Sequence, residues 1–161
     1  MSARPQPQPP RLRPMRTADL ERVLAVEQHA YSFPWTRGNF IDSLAAGYLA
    51  ELLVDERDQL IGYFVAMVGV DELHLLNLTV APAHQRRGHA STMLDVLEQR
   101  CHDHRASALL LEVRASNDRA RHVYRRRGLV DVGLRRNYYP AAHGTREDAI
   151  VMSLVVPGVA P

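Results

Sequence analysis

At 161 residues with 46% hydrophobic side chains, the chain is long enough for one domain with a sizeable core. No apolar run approaches the roughly 18 residues a membrane-spanning helix needs. The formal net charge is only +2, yet all 20 basic residues are arginine, and one cysteine, Cys101, excludes a disulfide within the chain.

Arg4 to Pro14 is rich in Pro, Gln and Arg and holds no apolar signal-peptide core, so residues 1–10 are expected to be a disordered tail. A domain over residues 11–156 follows, with a short tail over 157–161, and a cytoplasmic location is expected. Leu12 to Arg16 is predicted as a first strand. Thr17 then caps a predicted helix from Ala18 to Ala30, whose Leu20, Val23, Leu24 and Glu27 share one face. Thr36 caps a second helix that reaches Ala46 and ends at Gly47. Tyr48 to Val54, Leu60 to Val70 and Leu73 to Val80 read as three strands of a meander, the first two joined by Asp55-Glu56-Arg57-Asp58.

The second half alternates. Ser91 to Arg105 is a predicted helix, and Ala108 to Val113 is a nearly all-apolar strand of the kind buried on both faces. Asn117 to Arg127 is a helix stopped by Gly128, and Leu129 to Leu134 and Ala149 to Val156 close the chain as strands. Antiparallel strands followed by β-α-β-α-β predict an α/β fold with a central mixed sheet and helices on both faces.

Gln85-Arg86-Arg87-Gly88-His89-Ala90 lies between the third strand and the helix that begins at Ser91. A strand that feeds a glycine-containing turn and then a helix is suited to hold phosphate. The first helical N–H groups have no intrahelical partner, and the helix dipole places positive charge there. The alternative is an ordinary basic turn. Glu112 ends the apolar strand on the face of Leu110 and Arg114, where open α/β sheets bind ligands. Burial there is expected to raise its pKa toward the range of a general base; the alternative is a structural ion pair with Arg114 or another arginine. Tyr124 stands two helical turns beyond Asn117, with Ala120 between them, as a phenol suited to protonate a thiolate or as a core tyrosine. Asn117 is also a good helix N-cap.

Cys101-His102-Asp103-His104 suggests a metal, but only Cys101 and His104 share a helix face and no second cluster supplies ligands, so no metal is expected. From Arg114 to Arg136 eight arginines stand against Asp118 and Asp131, a surface for an anionic cofactor or for nucleic acid. The absence of alternating basic and aromatic residues on one strand face argues against an RNA platform.

The phosphate-loop run matches the Gln/Arg-x-x-Gly-x-Gly/Ala signature of the GNAT acetyltransferases. Four further segments resemble the RimI branch of that family: Ser32 to Thr36, Leu76 to Val80, Leu111 to Asn117 and Arg135 to Pro140. The resemblance covers Met15 to Leu154 and implies the GNAT fold and acetyl-CoA as co-substrate. It also implies acetylation of the N-terminal alanine of small-subunit ribosomal protein eighteen, by a monomer. Carried over by position, Glu112 is the base and Tyr124 the acid. Leu78, Thr79 and Val80 pair with the pantetheine arm; Arg86, Arg87, Gly88, His89, Ala90 and Ser91 hold the pyrophosphate; and Asn117 adds a coenzyme contact. Trp35, Tyr138 and Tyr139 suggest a peptide groove. Two departures stand out: Leu129 replaces a common Phe, and Thr145 adds a residue to the substrate-facing loop, which it is expected to reshape. The competing readings are an acetyltransferase with another amine acceptor and a catalytically silent acetyl-CoA-binding or RNA-binding module.

Overall fold

Alternation of apolar and polar side chains over the meander builds a seven-stranded sheet in the order β1-β2-β3-β4-β5-β7-β6. The computed structural model describes residue 4 and residues 6–159. The tails expected over 1–10 and 157–161 fall partly on residues 1–3, 5, 160 and 161, outside the described residues. Residues 4 and 6–10 are exposed and without regular structure. The strands are β1 (Arg11–Pro14), β2 (Leu49–Val54), β3 (Leu60–Val68), β4 (Glu72–Val80), β5 (Ala108–Arg114), β6 (Val130–Pro140) and β7 (Arg146–Val155). Only β4 and β5 run parallel; the other neighbours are antiparallel. The mixed sheet expected from the sequence is therefore present.

Four helices cover the two faces: α1 (Leu20–Ala30), α2 (Arg37–Ala45), α3 (His89–Asp103) and α4 (Asp118–Arg126). Met93, Leu94, Leu97 and Cys101 of α3 pack on Leu53, Phe64, Leu75, Leu109 and Leu111, and α4 adds Ala120, Val123 and Tyr124 on the same side. Leu20 and Val23 of α1 and Phe40 of α2 cover the opposite face through Leu52, Tyr63 and Val65. Gly62 lets β3 run close to β4 and beneath α3, since a Cβ there would lie 2.5 Å from the Thr79 carbonyl oxygen of β4 and 3.0 Å from Met93 Cε of α3. Leu129, in place of a larger Phe, is buried in the α3-side core.

Three local expectations are corrected. Thr17 forms no capping bond; a 3-10 turn, Thr17–Asp19, precedes α1, and the Asp19 carboxylate accepts from the Arg16 N–H at 2.8 Å. Asp19 is itself held by Arg13 at 2.8 Å, which brings a charge-assisted bond where a threonine hydroxyl offers a neutral one. The strand after Gly47 starts at Leu49 and the next ends at Val68, with Val70 exposed. β5 is buried on one face only: Leu109, Leu111 and Val113 are in the core, while Ala108, Leu110, Glu112 and Arg114 are half-buried.

A buried polar chain ties α1 to β3 and β4. The Tyr63 hydroxyl and the Asn77 amide donate to Glu27 Oε1 at 2.7 and 3.0 Å, and the Trp35 N–H donates to Oε2 at 3.0 Å. Thr79 donates to Asn77 at 2.7 Å, and the Tyr31 hydroxyl lies 2.8 Å from Thr79 Oγ1. Removing the carboxylate orphans three buried donors at once. Glu27→Ala should therefore lower unfolding free energy by about 3 kcal/mol or more, as much as Leu97→Ala in the core, at about 2–5 kcal/mol. Urea unfolding of both variants measures this, and a Glu27→Ala loss below about 0.5 kcal/mol would mean the network carries no stability.

Candidate active site

The parallel pair is incomplete. β4 and β5 pair only from Glu72↔Ala108 to Leu75↔Leu111, and beyond that point they have no register. The break coincides with a bulge: Leu75 pairs with Ala66 and Asn77 with Val65, so Leu76 is an extra residue in β4. A bulge bends its strand and increases twist, which carries the end of β4 away from β5. Leu76 to Val80 thus present one backbone edge to a gap rather than to a strand. Leu78 and Val80 pack toward the α3-side core. The Leu78 carbonyl accepts from the Tyr31 hydroxyl at 3.2 Å, and the Val80 carbonyl from the Gln85 amide at 3.3 Å.

β4 leads through a 3-10 turn, Pro82–His84, into the basic loop at the start of α3. Arg86 and Gly88 are left-handed, at φ 64° and 81°. Among the described residues, the N–H groups of Arg86, Arg87, Gly88, His89, Ala90 and Ser91 meet no protein acceptor. Six consecutive free donors at a helix N-terminus are an arrangement suited to an anion. Burial, then His84 and Arg87, lowers the pKa of His89. Ser91 is tied to the end of α4 by Arg127, whose Nη1 lies 3.3 Å from its hydroxyl.

On the α4 side, Asn117 is the N-cap: its Oδ1 accepts from the Ala120 N–H at 3.2 Å. Tyr124 is half-buried, and its hydroxyl has no hydrogen-bond partner among the described residues. Burial above all, with the phenols of Tyr31 and Tyr139, pushes its pKa well above that of an ordinary tyrosine. Tyr31 belongs to the α1 side of the sheet, so the gap brings together phenols from both faces.

Glu112 faces the same region with its side chain 8% exposed. Its Oε2 lies 2.5 Å from His74 Nε2 and its Oε1 3.2 Å from Arg135 Nε. The rise expected in its pKa is corrected here. Burial does push upward, but the His74 hydrogen bond and charge, with Arg135, outweigh it and hold the carboxyl below its ordinary value. The ion pair weighed from the sequence is formed, with Arg135; Arg114 turns instead to Glu147 at 3.1 Å and the Pro140 carbonyl at 2.8 Å.

A cleft of about 430 Å³ opens beside these groups, lined by Tyr31, Phe33, Arg114, Asn117, Ala142 and Glu147 among others. The Arg114 guanidinium lies between the rings of Phe33 and Tyr139, 5.4 and 4.6 Å from their centroids. It bridges the loop after α1 to β6. Burial, then Glu112, raises the Tyr139 pKa well above the ordinary phenol value. Tyr138 packs edge-on against Tyr139 at 4.9 Å and is 42% exposed. Trp35 packs against Phe40 at 5.2 Å and is not among the residues lining the cleft; Phe33 is the aromatic of that segment that is. The residue added at Thr145 closes the β6–β7 hairpin, its hydroxyl donating to the Ala142 carbonyl at 2.6 Å.

Sequence reasoning missed His74, Tyr31, Phe33 and Glu147. The available signal for His74 was its place between Leu73 and Leu75, which puts it on the face opposite their core. Cys101 lies buried under α3, where desolvation, then Glu98, pushes its thiol up to about 11. Among the described residues no group of three or more His, Cys, Asp or Glu is placed to hold a metal, and no helix is long and apolar enough to cross a membrane.

The sequence profile of the Acetyltransferase (GNAT) family matches residues 19–129. The [ribosomal protein bS18]-alanine N-acetyltransferase of Haemophilus ducreyi is 37% identical over 136 residues, 84% of this chain and 93% of that protein. The Salmonella typhimurium protein of the same name is 37% identical over 142 residues, covering 88% and 95%. The crystal structure of the Escherichia coli ribosomal-protein-S18-alanine N-acetyltransferase superposes with a TM-score of 0.83 at 34% identity, over 91% of this chain and 94% of that one. With a parted parallel pair, a free-donor loop and these relatives, the chain belongs to the GNAT acetyltransferase family.

Proposed function

We propose that the protein transfers an acetyl group from acetyl-CoA to the N-terminal alanine of ribosomal protein bS18. The observations that carry this reading are the free N–H groups before α3, the open edge of β4 and the Tyr124 hydroxyl without a hydrogen-bond partner, in a chain 34–37% identical to enzymes of that name. The fit of acetyl-CoA rests on the six free N–H groups from Arg86 to Ser91, which suit a pyrophosphate, and on the unpaired edge of Leu78, Thr79 and Val80, which suits an amide-bearing arm. Asn117 lines the cleft beside Arg114 and is proposed to add a further coenzyme contact. When bound, the coenzyme supplies an acetyl thioester to the amine.

The remaining chemistry falls to this chain's residues. Glu112 takes the proton of the incoming ammonium, so that the nitrogen lone pair is free to attack. Tyr124 donates its hydroxyl hydrogen toward the departing sulfur. A thiol titrates near 8.5, so a phenol raised above its ordinary value stays protonated and able to donate a hydrogen bond to the departing sulfur, while outright proton transfer is uphill; the thiolate leaves hydrogen-bonded and takes its proton from solvent. Phe33 and Arg114 line the side of the cleft from which a peptide N-terminus enters; Tyr139 stacks on Arg114 with Tyr138 against it, neither of them lining the cleft, and Trp35 packs behind on Phe40.

Acetyl-CoA should bind without metal, and the loop variants should show where. Arg87→Glu reverses a charge beside the free donors, and Gly88→Val places a branched side chain on a backbone at φ 81°. Both should weaken coenzyme binding by about tenfold or more, read by calorimetry; unchanged affinity in both would remove the loop from the site.

Tyr124→Phe keeps the ring and loses the hydroxyl, so the fold should be retained while transfer slows by roughly 10²–10⁴-fold. The assay compares a peptide with a free N-terminal alanine against the same peptide blocked at that end and carrying an internal lysine. Modification of the free-alanine peptide alone is expected. Equal acetylation of the blocked peptide would overturn the α-amine acceptor, and full activity of Tyr124→Phe would overturn its role as donor.

A further inference from the structure

Glu112 is the candidate base, yet both of its oxygens are already held. Arg135 on β6 supplies a permanent charge at 3.2 Å from Oε1; His74 on β4 lies 2.5 Å from Oε2. The two partners differ in kind. A guanidinium stays charged at any working pH, whereas the imidazole is the side chain whose charge ordinarily changes near neutrality. Parallel pairing makes the contact possible: His74 pairs with Leu110, and Glu112 stands two residues further along the same face of β5. The imidazole is the wetter member, 21% exposed against 8% for the carboxylate.

We propose that His74 is a positioning residue for Glu112, orienting its carboxylate and setting the pH range over which it takes up the proton of the attacking amine. This rests on the acetyl-transfer reading above. A nitrogen and an oxygen this close require a hydrogen between them, and with a charged imidazole the bond is charge-assisted. The carboxylate then faces two cations and is a poor proton acceptor. Once the imidazole is neutral, it faces Arg135 alone and its basicity recovers. In the step itself the ammonium N–H bond breaks, an O–H bond forms on Glu112, and the nitrogen keeps the electron pair for the thioester carbonyl. The carboxyl releases the proton to solvent before the next turnover.

The other groups facing the pair leave this balance to His74. Tyr139 on β6 is pushed up and stays neutral. Arg114, next on the same face of β5, is engaged with Glu147 of β7 at 3.1 Å. On the α1 side, Glu27 is occupied by Tyr63, Asn77 and the Trp35 N–H.

His74→Gln keeps an amide donor and removes the charge. Rates on the free-alanine peptide should be measured from about pH 6 to about pH 9, the span that covers imidazole and α-amine titration. The ratio of variant to wild-type kcat/KM should fall across that range by up to about tenfold, the effect of one unit of carboxylate pKa, with coenzyme affinity unchanged. A ratio independent of pH would reduce His74 to a structural role and overturn the proposal. A second measurement needs neither this variant nor substrate: histidine titration by NMR in wild type and Glu112→Gln. The ring resonances of one imidazole should differ between the two proteins, and no difference would equally overturn the pairing. Absence of wild-type activity on the free-alanine peptide, with the imidazole difference present, would instead locate the failure in the acetyl-transfer reading.

Discussion

A backbone edge left without a neighbour strand is the constraint on which the site depends. Unpaired N–H and C=O groups inside a sheet are costly unless something satisfies them, and here the edge of β4 beyond Leu75 is left open by the bulge at Leu76. The protein partly relieves this from within, through Tyr31 on the Leu78 carbonyl and Gln85 on the Val80 carbonyl. What remains is an extended main chain ready to pair with an extended ligand. The same parting lets Tyr124, carried on the α3 side of the sheet, approach phenols carried on the α1 side. The Glu27 network fixes β4 from behind, so the gap stays a defined groove rather than a frayed strand end.

The electrostatics follow the same division. The anion loop at the head of α3 is built from main chain, with Arg86 and Arg87 adding charge, and its free donors all lie within six residues. Glu112 is built the opposite way, from residues far apart in sequence: His74 precedes it by 38 residues and Arg135 follows it by 23. The outcome at Glu112 turns on magnitude. Burial alone favours the neutral acid, but the His74 hydrogen bond and the Arg135 charge outweigh desolvation and hold the carboxyl below its ordinary value.

This contrast explains what was legible in the sequence. Thr36 as a cap, Gly47 as a helix stop, Asn117 as the cap of α4 and the loop before α3 are local, and their residues state their roles within a turn or two. The mixed sheet was readable because the hydrophobic period changes along the chain; the insertion of β7 between β5 and β6 was not. The sign of the Glu112 shift was not, because it is decided by neighbours that only the β4–β5 pairing and the β6–β7 hairpin bring in. The one-sided burial of β5 was hidden for a related reason. Three leucines in a row read as doubly buried, whereas the face carrying Leu110 and Glu112 borders the cleft. Thr17 misled because a neutral cap is the common solution, and here the charged Arg13–Asp19 pair supplies it.

A carboxylate held ionised by two partners is a modest base, and that restricts which amine it suits. An α-amine titrates near 8 and a lysine near 10.4, so removing a proton from lysine at the same pH costs roughly 3–4 kcal/mol more. A site with a desolvated, unpaired glutamate would lower the cost for both amines equally and so bring lysine within reach. Glu112 is built the other way, pinned by Arg135 and His74 and kept below its ordinary value. Such a base suits an acceptor already part-deprotonated near neutrality, and the energetic burden of specificity then rests on the amine itself rather than on a deep side-chain pocket. A cleft lined by Phe33, Arg114, Ala141 and Ala142, with Tyr139 stacked on Arg114, is consistent with that division. On the α-amine reading proposed above, proton affinity would select the kind of amine, and the aromatic side chains stacked on Arg114 the chain that carries it.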